Sequence, residues 1–235
     1  MLENDIAEAV ASAQIALSAT AVRGLAAHLS MVLAVNATMN ITAVTDPQLA
    51  VWAHVVDSLL GLPEVLGAPA GRMADLGSGA GYPGVPLAIA TCRQVTLVES
   101  VKKKARFLES VVERLELDAE VKGERAESLA AQELCGFTVV TARAVSSLPS
   151  LVELAAPLLA EGGVLVAYKG SPSPEEVARG DRVAESIGMG PAAVRETVLP
   201  GPDPATRTLV SYVRTSTGKI RLPRRPGMAQ RHPLA

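Results

Sequence analysis

The chain has 235 residues, of which 49% are apolar and 20% charged, a composition that indicates a globular protein and excludes a disordered or fibrous one. Its two cysteines, Cys92 and Cys135, form no CxxC pair, which excludes a disulfide framework and a zinc knuckle and points to the cytosol. The net charge is −2, the start MLENDIAEAV lacks the basic flank of a signal peptide, and no apolar run approaches the roughly 18 residues of a membrane span.

Residues 3 to 35 read as two helices, with Ile6, Val10, Ile15 and Leu17, then Leu25, Leu29, Val32 and Leu33, at helical spacing. NATMNITAVTDP from Asn36 is polar and turn-rich. Thr45 or Asp46 before Pro47 is a helix start, because proline suits the first turn, and this third helix runs to about Leu60.

After the linker GLPEVLGAPAG, short apolar runs alternate with helical ones, as βαβ units of a parallel sheet require. Strands are predicted at 72–76, 95–99, 119–122, 137–142, 163–168, 192–198 and 207–214, and helices at Val101–Leu115, Leu148–Leu159 and Pro174–Ser186 among others. Only LPGPDPAT separates the last two strands, which predicts an antiparallel hairpin. The expected fold is α/β, a Rossmann-like, seven-stranded, mostly parallel sheet with one antiparallel strand, as in class I methyltransferases. Its parts are N-terminal helices over 1–62 packing on the core, a core over 63–214 and a basic tail over 215–235. From Arg214 onward the chain carries six bases and no acid, against −8 for the rest. A basic tail on an acidic body suits a polyanionic partner.

The stretch DLGSGAGYPG, Asp75 to Gly84, crowds four glycines into the turn after the first strand. Gly79 to Gly84 is literally GxGxxG, with Glu99 about 20 residues on from it, and so invites a dinucleotide reading and an NAD-dependent oxidoreductase. Two residues oppose that reading. In a dinucleotide fold the first glycine directly follows the strand, and here that glycine is Gly77, out of register with the motif. Asp75 at the strand end would repel a pyrophosphate, yet it suits the cationic amino group and sulfonium of S-adenosyl-L-methionine. On that reading Gly77, Gly79 and Gly81 admit the ligand without a Cβ in the way, and Glu99 accepts from the ribose hydroxyls. Ala126 and Glu127, after the third strand, flank the adenine, with Glu127 the acceptor for its amino group.

Marks of several acceptor chemistries are missing. No NPPY-like stretch follows the fourth strand, and neither cysteine sits in a Pro-Cys loop that could supply a covalent nucleophile. That strand runs instead into TARAVSSLPSL, which presents Arg143 at the carboxyl end of the sheet, where open α/β proteins bind ligands. Guanine N7 fits this pattern, because its lone pair carries no proton and attack needs alignment rather than a base. Arg143 is a candidate for holding the cofactor, the guanine O6 or a phosphate.

NITAVTDP, HVVDSLLGL, MADLGSGAGYPGVPLAI, LVESVKKKARFL, RAESL, ARAVSSLPSL, LVAYKG and LPRRPGMAQRHPL together resemble the ribosomal RNA small subunit methyltransferase G (glucose-inhibited division protein B) family, in order and over nearly the whole chain. The resemblance implies a bacterial cytoplasmic enzyme that methylates guanine N7 in the decoding region of 16S rRNA. It places cofactor contacts on Gly77, Tyr82, Ala126, Glu127 and Arg143. Two departures stand out: Tyr82 replaces the more usual Phe or Leu, and Met228 stands where Thr is common.

In that family the segment from Asn36 to Thr42, including Asn40, borders the open end of the sheet with His54, Asp57 and Ser58. These residues are therefore substrate-side candidates, together with Lys169 and, in the tail, Arg224 and Arg225. Lys102 to Lys104 reads as a solvated helix face. No metal site is expected. With aromatics at only 3%, the chain lacks stacking platforms for single strands, so recognition of a folded 16S rRNA, free or in a partly assembled small ribosomal subunit, is expected of a monomer. A noncatalytic RNA-binding factor with a methyltransferase fold is the other alternative.

Overall fold

The computed structural model describes residues 1–234, and its centre is a seven-stranded sheet in the order β3-β2-β1-β4-β5-β7-β6. β1 (Met73–Leu76), β2 (Val95–Val98), β3 (Ala119–Lys122), β4 (Phe137–Arg143) and β5 (Leu159–Lys169) run parallel. β7 (Ala205–Val213) is antiparallel to both β5 and β6 (Ala193–Leu199), so it is the one reversed strand. The central strands are covered on both faces, so β1 and β2 are buried at every position. Within β4, Val139 points into one core and Val140 into the other.

The first core is roofed by the N-terminal helices. α1 (Leu2–Ser12) and α2 (Ala19–Met39) bury Ile6, Leu25, Leu29 and Val32 against it. Ser18 caps α2 by accepting from Ala21 N–H, and Asn40 ends it in the left-handed conformation at φ 48°. Asp46 caps the next helix by accepting from Leu49 N–H, with Pro47 in the first turn. That helix is continuous over 47–59 but changes pitch: α3 (Pro47–Ala50), a π-helical stretch Val51–Val56, and α4 (Asp57–Leu59). The wider π turn sits where His54 and Asp57 must reach the glycine turn and β4, and such π-bulges gather at functional sites. By length and apolarity 19–39 and 47–67 could each cross a membrane, contrary to the sequence-based expectation, but their apolar sides are built into this core.

The second core lies under α8 (Ala126–Gln132), α9 (Leu148–Ala155), α10 (Pro174–Ser186) and α11 (Met228–Arg231). Three boundaries differ from expectation. The supposed linker after Gly61 contains α5 (Leu62–Gly67), because Pro63 in the first turn and Val65 buried in the core favour a helical turn there. α9 stops at Ala155, and β5 begins already at Leu159, pairing with Phe137 before the register shifts. Helices α6 (Gly84–Thr91) and α7 (Lys102–Arg114) complete the crossovers.

Candidate active site

Gly77 directly follows β1 with φ +67°, and a Cβ there would stand 2.7 Å from Val145 Cγ2. Only glycine fits without strain. Both oxygens of Glu99, at the end of β2, hold backbone: Oε2 accepts from Gly79 N–H at 3.0 Å and Oε1 from Val101 N–H at 2.7 Å. The carboxylate thus ties the glycine turn to the start of α7. Each oxygen keeps a lone pair for a further donor.

Beside this turn is a narrow cavity of about 70 Å³, lined by Gly77, Glu124, Ala126, Glu127, Val145 and Gln230 among others. Glu127 is buried; its Oε1 accepts from Gly227 N–H at 2.6 Å, while its Oε2 has no hydrogen-bond partner among the described residues. A buried carboxylate oxygen left unpaired is costly, so it marks a place for a donor. Its charged lining is Glu124 and Glu127 with Arg125, and the free Glu127 oxygen suits the hydroxyl and amino donors of an adenosyl group. Gly77, Glu99, Ala126 and Glu127 therefore fit S-adenosylmethionine.

The remaining residues of the turn face elsewhere. Asp75 is fully enclosed, with Oδ1 accepting from Thr141 Oγ1 at 2.7 Å; burial pushes its carboxyl up to about 6. Gly84 must lack a side chain because a Cβ would stand 2.7 Å from Asp75 Oδ2, so the carboxylate braces the start of α6 from behind. Gly81 packs on His28, whose ring would lie 2.8 Å from a Cβ. His28 Nε2 donates to Ala80 O at 2.9 Å, and burial lowers its pKa to about 4, which keeps the imidazole neutral.

Tyr82 is buried between His28 and His54, at ring centroid distances of 4.7 and 4.8 Å. The hydroxyl that Phe or Leu would lack has no partner among the described residues. Burial also lowers the pKa of His54 to about 4, with the nearby Arg143 guanidinium adding to it. His54 Nε2 meets Thr42 Oγ1 at 2.7 Å, and Thr42 N–H donates to Asn36 Oδ1 at 2.9 Å, so the loop after α2 is held to the π turn. Asn40 itself is exposed.

Arg143 ends β4 with its guanidinium 5.5 Å from the Tyr82 ring centre. It donates to Asp57 Oδ2 at 2.6 Å and to Ala53 O at 3.0 Å. The other Asp57 oxygen accepts from Arg207 Nε at 2.6 Å. A second cavity, about 250 Å³, is lined by Asp57, Arg143, Ser146, Lys169 and Arg207. It is predominantly basic, although Lys169 Nζ also meets Glu176 at 2.8 Å. Ser58 lies beneath: its hydroxyl donates to His54 O, and its carbonyl accepts from Tyr168 OH at 2.6 Å. The three residues after Arg143 divide the two spaces, with Val145 walling the narrow cavity and Ala144 and Ser146 the basic one.

The tail departs from the sequence reading. Arg224, expected on the RNA side, forms a two-pronged ion pair with buried Glu153 at 2.6 Å for each prong, while Arg225 is exposed. Sequence reasoning missed Arg207, His28 and Glu153. A lone acid in the apolar run SLVELAAPLL was the available signal for Glu153, and Arg207 gave none. Among the described residues no cluster could hold a metal ion.

A family model described as rRNA small subunit methyltransferase G matches residues 22–200. Ribosomal RNA small subunit methyltransferase G from Sorangium cellulosum is 42% identical over 234 residues, spanning 97% of this chain and 90% of that protein. The Stenotrophomonas maltophilia (strain K279a) protein of the same name is 44% identical over 168 residues, 71% of this chain and 77% of that one. Among solved structures, an O-methyltransferase from Bacillus cereus in complex with SAH superposes with a TM-score of 0.55 at 22% identity, over 80% of this chain and 90% of that one. TYW2 of P. horikoshii in complex with MeSAdo gives 0.57 at 15%, over 70% and 64%. These two show likeness of fold.

Proposed function

This chain belongs to the rRNA small subunit methyltransferase G family and is an S-adenosylmethionine-dependent rRNA methyltransferase; from that premise we propose that it methylates N7 of a guanine in the decoding region of 16S rRNA. The observation that carries the reading is the pair of cavities on either side of the turn after β4, one lined by Glu124 and Glu127 with Arg125 and the other by Arg143, Lys169 and Arg207 with Asp57.

The cofactor supplies an electrophilic methyl group on a sulfonium centre. On this reading Gly77 lets it approach the backbone, Glu99 takes the ribose hydroxyls and Ala126 and Glu127 take the adenine. Asp75 acts from behind the turn, and Gly79, Gly81 and Tyr82 keep the turn in shape. Arg143, steadied by Asp57, stands between donor and acceptor. It orients the guanine through O6 or a phosphate, since donating to N7 would block the lone pair that attacks. N7 carries no proton, so no residue needs to act as a base, and catalysis rests on proximity and alignment.

The RNA side comprises Arg143, Lys169, Arg207 and the segment around Asn40, with His54, Asp57 and Ser58 supporting them from within. Arg225 and the other exposed tail bases add phosphate attraction, while Arg224 anchors the tail. The protein acts in the cytoplasm as a monomer on rRNA or a partly assembled subunit.

The test is transfer of labelled methyl groups to free 16S rRNA, to assembled subunits and to a small-molecule panel, followed by nucleoside analysis of the product. N7-methylguanosine in 16S rRNA supports the proposal. Label confined to another base atom, or to a small molecule or protein, overturns it.

A further inference from the structure

The C-terminal strap folds back over the cavity beside Gly77. Its short helix α11 packs Ala229 into the core against α9, and Arg224 reaches buried Glu153, whose Oε2 also accepts from Leu234 N–H at 3.3 Å. Between these anchors, Gly227 N–H donates to Glu127 Oε1 at 2.6 Å, and Gln230 lines the cavity. Gly227 turns at φ +84°, a conformation that aims its N–H at Glu127, and a Cβ there would meet nothing within 4 Å.

The remaining oxygen, Glu127 Oε2, is buried beside the cavity and unpartnered among the described residues. One carboxylate oxygen is therefore held by the strap while the other waits for a donor. A carboxylate with one oxygen clamped has little rotational freedom left, so the direction of its second oxygen is set by the first.

We propose that the strap is part of the cofactor site, with Gly227 a positioning residue that orients Glu127 toward the adenine amino group and the Arg224–Glu153 pair the latch that keeps it there. This rests on the reading of Glu127 as the adenine acceptor. The cavity is narrow, about 70 Å³, and Gln230 of the strap walls it, so the strap bounds the space in which the adenine would sit. RNA held by the neighbouring exposed Arg221, Arg225 and Arg231 would load the same strap.

The experiment compares binding of S-adenosylhomocysteine with that of its analogue carrying purine in place of adenine, by calorimetry and stopped-flow fluorescence, in the full-length wild-type protein and two strap variants. Gly227→Ala strains the turn without adding a clash. The double variant Arg224→Gln/Glu153→Gln keeps a neutral hydrogen-bonding pair, so the strap weakens without a buried lone charge. The wild type should prefer the amino-bearing ligand at least tenfold, because a site built to receive a donor rejects the analogue lacking it. In both variants that preference should fall several-fold, and S-adenosylhomocysteine should leave about tenfold faster. Variants that keep the full preference overturn the positioning role, as does faster association with unchanged dissociation, which would make the strap an obstruction. A wild type without preference overturns the Glu127 reading itself, and the proposal with it.

Discussion

Arg143 and Asp57 are 86 residues apart in the chain, yet their side chains meet at 2.6 Å, joining the end of β4 to the start of α4, just past the π-helical turn. Because Arg207 holds the other Asp57 oxygen, one carboxylate balances two guanidinium groups, and the three residues come from separate parts of the chain. The N-terminal helices are thereby tied electrostatically to the wall of the basic cavity.

Replacing Asp57 by Ala should cost about 3 kcal/mol of stability, since two half-buried bases lose their counter-charge. Urea denaturation gives the stability. The methyl-transfer rate should fall at least tenfold even where the variant is fully folded, as Arg143 loses its bearing. A variant as active and as stable as wild type would dissolve the link between this pair and the site.

Gly77→Ala should weaken S-adenosylhomocysteine binding more than tenfold in calorimetry. The left-handed φ costs an alanine about 1–2 kcal/mol, and its methyl group would meet Val145 at 2.7 Å, pressing the wall into the cavity. Unaltered affinity would place the cofactor elsewhere.

His28 predicts an acid-sensitive fold. Its folded pKa of about 4 lies below the unfolded 6.5, so the unfolded chain binds the proton more tightly and stability drains away as pH falls from 6.5 toward 4. At about 1.4 kcal/mol per unit the loss reaches roughly 3 kcal/mol. Asp75 works in the opposite sense: its folded pKa, raised to about 6, makes protonation stabilising as pH falls from 6 toward 4. Comparing wild type with His28→Gln isolates the histidine, since Asp75 is common to both. The drop in unfolding free energy between pH 7 and 4.5 should be smaller in the variant by about 2–3 kcal/mol, and equal drops would refute the assignment.

The tail bases should separate into two kinds. Neutralising exposed Arg221, Arg225 and Arg231 should leave the melting temperature within a degree or two while flattening the salt dependence of RNA affinity by about two to three units in the log–log slope. Arg224→Ala should do the reverse, lowering the melting temperature by several degrees because buried Glu153 is left unpaired. Equal effects from both kinds would remove the distinction between anchor and RNA contact.

Much of this protein was legible in the order of its residues. The βαβ alternation, the closing hairpin and the acid-and-glycine signature after β1 are local patterns, and local patterns survive being read one segment at a time. Gly77 and Arg143 stand at the carboxyl ends of β1 and β4, and Ala126 and Glu127 open the helix after β3, places that the periodicity already shows. The literal GxGxxG misled for a related reason, because a motif shows spacing but not which way each glycine faces. Gly81 turned out to clear His28, and Gly84 to clear Asp75.

Sequence by itself determined the sheet, the family and the chemical type of the cofactor pocket, since these depend on burial patterns and residue types carried within single segments. Only the tertiary structure decided which charges are available. Glu99 holds the backbone, Asp57 is shared by two arginines, and Arg224 is paired with Glu153. Ion pairing and desolvation act between side chains distant along the chain, and no periodicity records which of several acids a given arginine will meet once the chain has folded.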